Sequence, residues 1–269
     1  MADSFQRTNL SYLSLKEWES VDDRLRVGIS TRKGGISRSP YRSMNLGLHV
    51  PDKKEDVIAN RNKLAHELEF PLEQWVFAEQ IHGTDIAVVT AEQKGKGIRN
   101  HHDAIIGCDG MITNKKGVLL TALFADCVPL YFFDPITKWI GIAHAGWRGS
   151  VHEMAKVMVD KLKEVGVEAT NIQAAIGPCI GKTQYEVDDK VISHIPHHFK
   201  EKTTKPTKNG HYMLDLKRLN HEILLQAGIQ NTHIHISNYC TFEEDETFFS
   251  HRRDNGKTGR MIGFIGYHE

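Results

Sequence analysis

The chain has 269 residues, with 34 basic and 34 acidic side chains, so its formal net charge is zero; 40% of it is apolar and 25% charged. That length carries one large domain or two small ones. The charge balance excludes the basic footprint of a nucleic-acid binder, and no apolar run approaches the roughly 20 residues of a membrane span. In chain order, short apolar stretches predict strands over 26–30, 75–80, 85–90, 117–125, 128–133, 139–144, 172–176, 233–237 and 261–267. Helical periodicity predicts helices over 53–69, 151–165, 186–195 and 215–227. Several strands follow one another directly, which favours an α+β fold with mixed sheets over strict βαβ alternation. The polar stretches 93–103 and 200–210 read as surface loops, too short for a domain linker. The expectation is therefore a single domain spanning 1–269.

The N-terminus, MADSFQRTNLSYLSLKEW, has no basic region followed by an apolar core, so no secretory signal is expected. Cys108, Cys127, Cys179 and Cys240 lie far apart and read as reduced thiols of a cytoplasmic protein.

The chemistry concentrates in ADCVPLYFFDPITKWIGIAHAGWRGS, residues 125–150. Asp134-Pro135-Ile136-Thr137 suits a turn. A tight hairpin pairing Asp134 with Thr137 puts Cys127 opposite His144 on one face, close enough for a thiolate and an imidazole to share a metal ion. His82, in AEQIHGTD, is a third candidate, and a His-Cys-His set with an open position suits catalytic zinc. The same residues also read as a core cysteine and two turn histidines. Ser150 and Glu153 fit a capping box that would start a helix just after GWRG. Gly146 and Gly149 would then let backbone approach a ligand. Arg148 offers a planar fork to phosphate or carboxylate, and Trp147 either stacks on a flat ring or plugs the core. Arg32 in TRKGG, Asn45 and His49 in SMNLGLHV, and Arg252 in FFSHRRDNGKTGR are further substrate-binding candidates, or solvated surface. Cys179, in AAIGPCIG, reads as packing or as a thiol behind the site. His101-His102 does not read as a ligand pair. His233 and His235 share a face of a predicted strand.

QIHGT, ADCVP, AHAGWRG, IGPCIG and CTFEEDETFFSHRRDNGKTGRMIGFI, in that order, resemble the laccase-domain family. Its members are named multicopper polyphenol oxidases, peptidoglycan editing factors or purine nucleoside phosphorylases. The likeness runs from TRKGGIS (31–37) to the C-terminus and is strongest toward bacterial members. It implies an α+β domain related to cysteine hydrolases of the toxin-catalytic-domain type. It implies a metal, zinc or alternatively copper, held by His82, Cys127 and His144. It further implies phosphorolysis of adenosine, inosine, guanosine or methylthioadenosine to a free base and a ribose 1-phosphate, with deamination of adenosine as a second activity. Purine nucleosides and phosphate are then the partners, with no nucleic acid and no membrane, and a monomer is expected. Asp126, or else Glu79, is the carboxylate expected to move protons; Arg148, Arg32 or Arg252 would hold phosphate; Trp147 or Phe249 would stack on the purine. A copper polyphenol oxidase is the rival, although only His233-x-His235 has a laccase-like spacing. A cysteine hydrolase acting on cell-wall precursors, with Cys127 as nucleophile and His144 as base, is another. A metal-stabilised binding protein without turnover is the non-enzymatic alternative.

Overall fold

The structure, a computed structural model, describes residues 3–269. Two six-stranded mixed sheets form its centre. In the first, Met261–Tyr267 pairs antiparallel with both Leu25–Ser30 and Val118–Phe124, and Trp75–Phe77 runs parallel to Val118–Phe124. In the second, Val128–Phe133 lies antiparallel between Ile140–Ala145 and Gln173–Ile176, with Gly110–Thr113 beyond Ile140–Ala145. The α+β class with mixed sheets holds. No helix of the described residues is long and apolar enough to cross a membrane.

Alternation along the strands assigns each face. Val118, Leu120 and Phe124 of the first sheet meet Tyr131, Phe133, Ile140 and Ile142 of the second in one core between the sheets. The opposite residues of the second sheet, Val128, Leu130, Phe132 and Ala143, pack on helices Met154–Glu164 and Leu216–Gln226. The outer residues of the first sheet, Leu119, Leu123, Ile262 and Phe264, pack near helix Lys54–Glu67 through Leu64 and Ala65. The order is thus helix, sheet, sheet, helix. Strands covered on both faces must read as continuous apolar runs, which is why Val118–Phe124 and Val128–Phe133 are apolar almost throughout.

Four expectations are corrected. The hairpin loop is longer than a tight turn: Phe133 pairs with Ile140, and Asp134 N–H donates to Trp139 O at 2.9 Å. The register moves by two residues, so His144 faces Pro129 rather than Cys127. Ser150 is not a cap. A short helix, Trp147–Val151, starts behind Gly146, and Ser150 sits inside it, its hydroxyl accepting from Asn220 Nδ2 at 2.8 Å. Glu153, at φ 58°, then breaks the chain into a second helix, Met154–Glu164. The predicted helix over 186–195 is a strand, Glu186–Asp188, followed by a short helix, Asp189–Ser193. The loop expected over 200–210 instead contributes Thr204–Pro206 to a three-stranded sheet with His211–Leu214 and Glu186–Asp188.

Candidate metal centre and substrate cavity

Strand directions gather the functional loops at one end of the two sheets. Trp75–Phe77 and Val118–Phe124 both end there, and the chain then crosses to the second sheet through 78–85 and 125–127. Ile140–Ala145 also ends there, and Met261–Tyr267 begins there. His82, Cys127 and His144 therefore arrive from a sheet-to-sheet crossover, a second crossover, and a strand end. Their donor atoms lie within 4.8 Å of one another. The two-residue error in the hairpin register does not separate Cys127 from His144. An even shift preserves the face, and the two become diagonal rather than direct neighbours.

The two histidines are positioned by one residue that sequence reading missed, Asp109. Its Oδ1 accepts from His144 Nδ1 at 2.8 Å and from His82 N–H at 3.1 Å. Its Oδ2 accepts from the backbone N–H groups of Ile81 at 3.0 Å and Gly83 at 2.8 Å. His82 has a positive φ of 63°, and the buried carboxylate holds that turn. With Nδ1 engaged, His144 presents Nε2 to the site, the usual arrangement of a metal-ligating imidazole. Gln80 pins the same loop, with its amide in two hydrogen bonds to the Leu123 backbone at 2.7 and 3.0 Å. The signal for Asp109 was the dipeptide Asp109-Gly110 opening an apolar segment, GMIT, which went unassigned as a strand.

Burial pushes the Cys127 thiol up, but the charges and hydrogen bonds of His144 and His82 outweigh it and hold the thiol well below its usual range. Burial disfavours the His144 cation, but the Cys127 thiolate and Asp109 reverse that and raise it. Burial likewise works against the Asp109 anion, and His144 with the backbone donors brings its carboxyl below the usual range. Each of the three groups thus favours the charged form of its neighbour. Two imidazoles and a low-pKa thiol, one imidazole fixed from behind, suit a zinc ion in the chemistry of the donor set. The residues fit such a group.

A cavity of about 500 Å³ opens over this cluster. Gly146 lies against the ligands: a Cβ there would stand 3.0 Å from His82 Cδ2 and 3.1 Å from Cys127 Sγ. Trp147, Arg148, Arg252 and His49 line the cavity as the sequence suggested, joined by Tyr185, Arg260 and His101. The Arg148 guanidinium lies 4.5 Å from the Trp147 ring centroid and that of Arg252 lies 4.9 Å from that of Tyr185. Asp126 also lines the cavity, at φ 87°, but its oxygens accept from Thr241 Oγ1 at 2.6 Å, Ser250 Oγ at 3.0 Å and Arg252 N–H at 2.7 Å.

Other candidates lie elsewhere. Arg32 is outside the lining; its guanidinium donates to Asp245 O and Arg42 O and lies 4.8 Å from the Phe249 ring centroid. Phe249 is fully buried and cannot stack on a ligand. Asn45 is also buried, and its side chain holds Asp52, Gly47 and Arg260. Glu79 does not line the cavity. Cys179 is buried packing whose thiol burial pushes up to about 12. His233 sits in a 3-10 turn outside the strand that holds His235, and His235 faces Glu17 at 3.4 Å.

Residues 26–268 match the family described as multi-copper polyphenol oxidoreductase laccase. The protein named purine nucleoside phosphorylase YlmD of Bacillus subtilis (strain 168) is 41% identical to this chain over 271 residues, covering 98% of each. The protein of the same name from Geobacillus stearothermophilus is 46% identical over 247 residues, covering 90% of each. The crystal structure of the Bacillus licheniformis hypothetical protein YfiH matches with a TM-score of 0.95 at 41% identity, covering 99% of this chain and 100% of that one.

Proposed function

The chain belongs to the multi-copper polyphenol oxidoreductase laccase family, and from that footing we propose that it is a zinc-dependent purine nucleoside phosphorylase. One observation carries the reading: a His-Cys-His cluster and three guanidinium groups, Arg148, Arg252 and Arg260, line the same cavity. A neutral chain that gathers three cations around one cleft is built for an anionic co-substrate. Its relatives' names supply the other substrate. Adenosine, inosine, guanosine and S-methyl-5'-thioadenosine are the candidate nucleosides, and adenosine deamination is the second activity.

In phosphorolysis, a phosphate oxygen bonds to C1' as the glycosidic bond breaks. The bonding pair goes to the purine, which takes up a proton and leaves. His82, Cys127 and His144 would hold the ion, which supplies Lewis acidity when bound. Asp109 orients His144 from behind. The guanidinium groups give the cavity the positive charge that an anionic phosphate needs. Trp147 and Tyr185 offer flat faces to the base. Asp126, with its oxygens already engaged, positions the Arg252 backbone rather than carrying protons.

The test is incubation with adenosine, with and without phosphate, following adenine, inosine and hypoxanthine by chromatography, with Cys127→Ala alongside. Phosphate-dependent adenine, lost in the variant, supports the reading. Inosine formed without phosphate supports deamination. No product from either protein overturns both.

A specific arrangement favours a second reading. Cys127, His144 and Asp109 have the order of nucleophile, base and orienting carboxylate of a cysteine hydrolase. Alkylation separates the two: a metal-held thiolate is protected until chelation, whereas a free nucleophile reacts at once. Metal analysis alongside a phenol-oxidation assay addresses the copper alternative.

A further inference from the structure

We propose that Arg260, with His49 and His101, forms the subsite that binds the phosphate group; this rests on the phosphorolysis reading and divides the three arginines by role. Arg260 Nη1 donates to Thr258 O at 2.8 Å and Gly259 O at 3.0 Å. Its Nε and Nη2 have no partner among the described residues, yet the side chain lines the cavity. Two free N–H groups on one planar fork are the geometry of bidentate phosphate recognition. No free carboxylate competes: Asp126 is the one acidic residue in the lining, and Thr241, Ser250 and Arg252 occupy its oxygens.

His49 stands beside this fork. Both side chains rest on Gly47, where a Cβ would meet Arg260 Cγ at 2.8 Å and His49 Cε1 at 3.4 Å. The His101 ring centroid is 5.7 Å from that of His49. His49 is open to the cleft, but the surrounding walls desolvate its cation, and Arg260 adds repulsion; together they push it down to about 4. A neutral imidazole still donates one hydrogen bond. Arg148 and Arg252, by contrast, lie against the aromatic rings of Trp147 and Tyr185. The base and the phosphate therefore have separate walls.

The phosphate wall is fixed from behind by Arg61. Its Nε and Nη2 donate to Leu46 O at 2.9 and 2.7 Å, and its Nη1 donates to Gly97 O and Ile98 O at 2.8 and 2.9 Å. The Leu46 carbonyl stands three residues before His49, and those of Gly97 and Ile98 stand four and three before His101. Asn45 completes the support by accepting from the backbone N–H groups of Gly47 and Arg260.

The test reads histidine Cε1–H resonances of the zinc-loaded protein by NMR during titration with inorganic phosphate and, separately, adenosine 5'-monophosphate. Shifts of His49 and His101 are expected, with the dissociation constant raised about tenfold or more in Arg260→Lys and raised also in His49→Phe, which covers the case of a misfolded Arg260→Lys. Saturation by inorganic phosphate marks a co-substrate site, and saturation by the ester alone marks a site for a substrate's own phosphate; either places a phosphate group there. Absence of both shifts overturns the subsite. Shifts in a protein that turns over no nucleoside keep the subsite and remove the phosphorylase reading. Phosphorolysis with an unchanged phosphate KM in both variants does the reverse.

Discussion

Replacing Asp109 by Asn keeps the shape of the side chain and removes one acceptor. Each carboxylate oxygen accepts two hydrogen bonds, Oδ1 from His144 Nδ1–H and His82 N–H, Oδ2 from Ile81 N–H and Gly83 N–H. An amide satisfies one pair and turns its NH2 toward two donors in the other. If it faces Ile81 and Gly83, two backbone donors lose their acceptor, at about 1–3 kcal/mol each, and the turn that holds His82 loosens. If it faces His144, the imidazole can accept at Nδ1 only by moving its proton to Nε2, the atom it offers to the metal. Either choice damages the centre. We expect Asp109→Asn to lose about 2–4 kcal/mol of stability and to bind zinc about 10–100-fold more weakly. Competition with a chromophoric chelator gives the affinity, and calorimetric melting with and without metal gives the stability. An Asp109→Asn protein that melts with the parent and holds zinc within about threefold would refute the assignment.

Gly146→Ala tests the other side of the cluster. Its φ of −66° suits alanine, so the cost is the added methyl, 3.0 Å from His82 Cδ2 and 3.1 Å from Cys127 Sγ. We expect zinc content after dialysis to fall while the metal-free melting temperature moves little, because a few tenths of an ångström exceeds the tolerance of about 0.2 Å in metal–ligand distances. Arg61→Leu strands four carbonyl hydrogen bonds in a buried site, and a loss of about 3 kcal/mol or more should lower the melting temperature by roughly 10 °C; a melt unchanged from the parent contradicts the clamp. Asp22→Asn tests pH dependence. Hydrogen bonding from Arg24 leads, and with Lys138 outweighs burial, to hold the Asp22 carboxyl below its usual range. A carboxyl lowered on folding stabilises fully above its unfolded pKa of about 4 and loses that contribution as pH falls through the folded value. Because both cations are part-exposed, the parent should exceed the variant by only about 1 kcal/mol at pH 7; denaturant melts should converge as pH falls through the lowered pKa of the folded state.

The sequence by itself determined the elements whose partners lie nearby along the chain. Val128–Phe133 and Ile140–Ala145 were legible because each is an apolar run bounded by a turn. Cys127 and His144 were brought together by hairpin reasoning that erred in register, yet parity kept both on one face. The family motifs carried His82 to the same site, although nothing in QIHGT states what lies across from it. Tertiary structure alone decided the rest. Asp109 acts through four residues about 26–35 positions away in sequence, and no local pattern marks a carboxylate for that task. Asn45 and Arg32 looked like open binding groups, but polar side chains beside glycines serve equally to satisfy buried backbone, and only the packed structure shows which donors they meet. Arg61 sat unremarked in an ordinary helix pattern, yet it anchors two loops whose histidines enter the cavity. Helix and strand signals arise from contacts a few residues apart. The cavity is made by chain ends that the strand directions of two sheets bring to one side, and that convergence is a property of the assembled sheets.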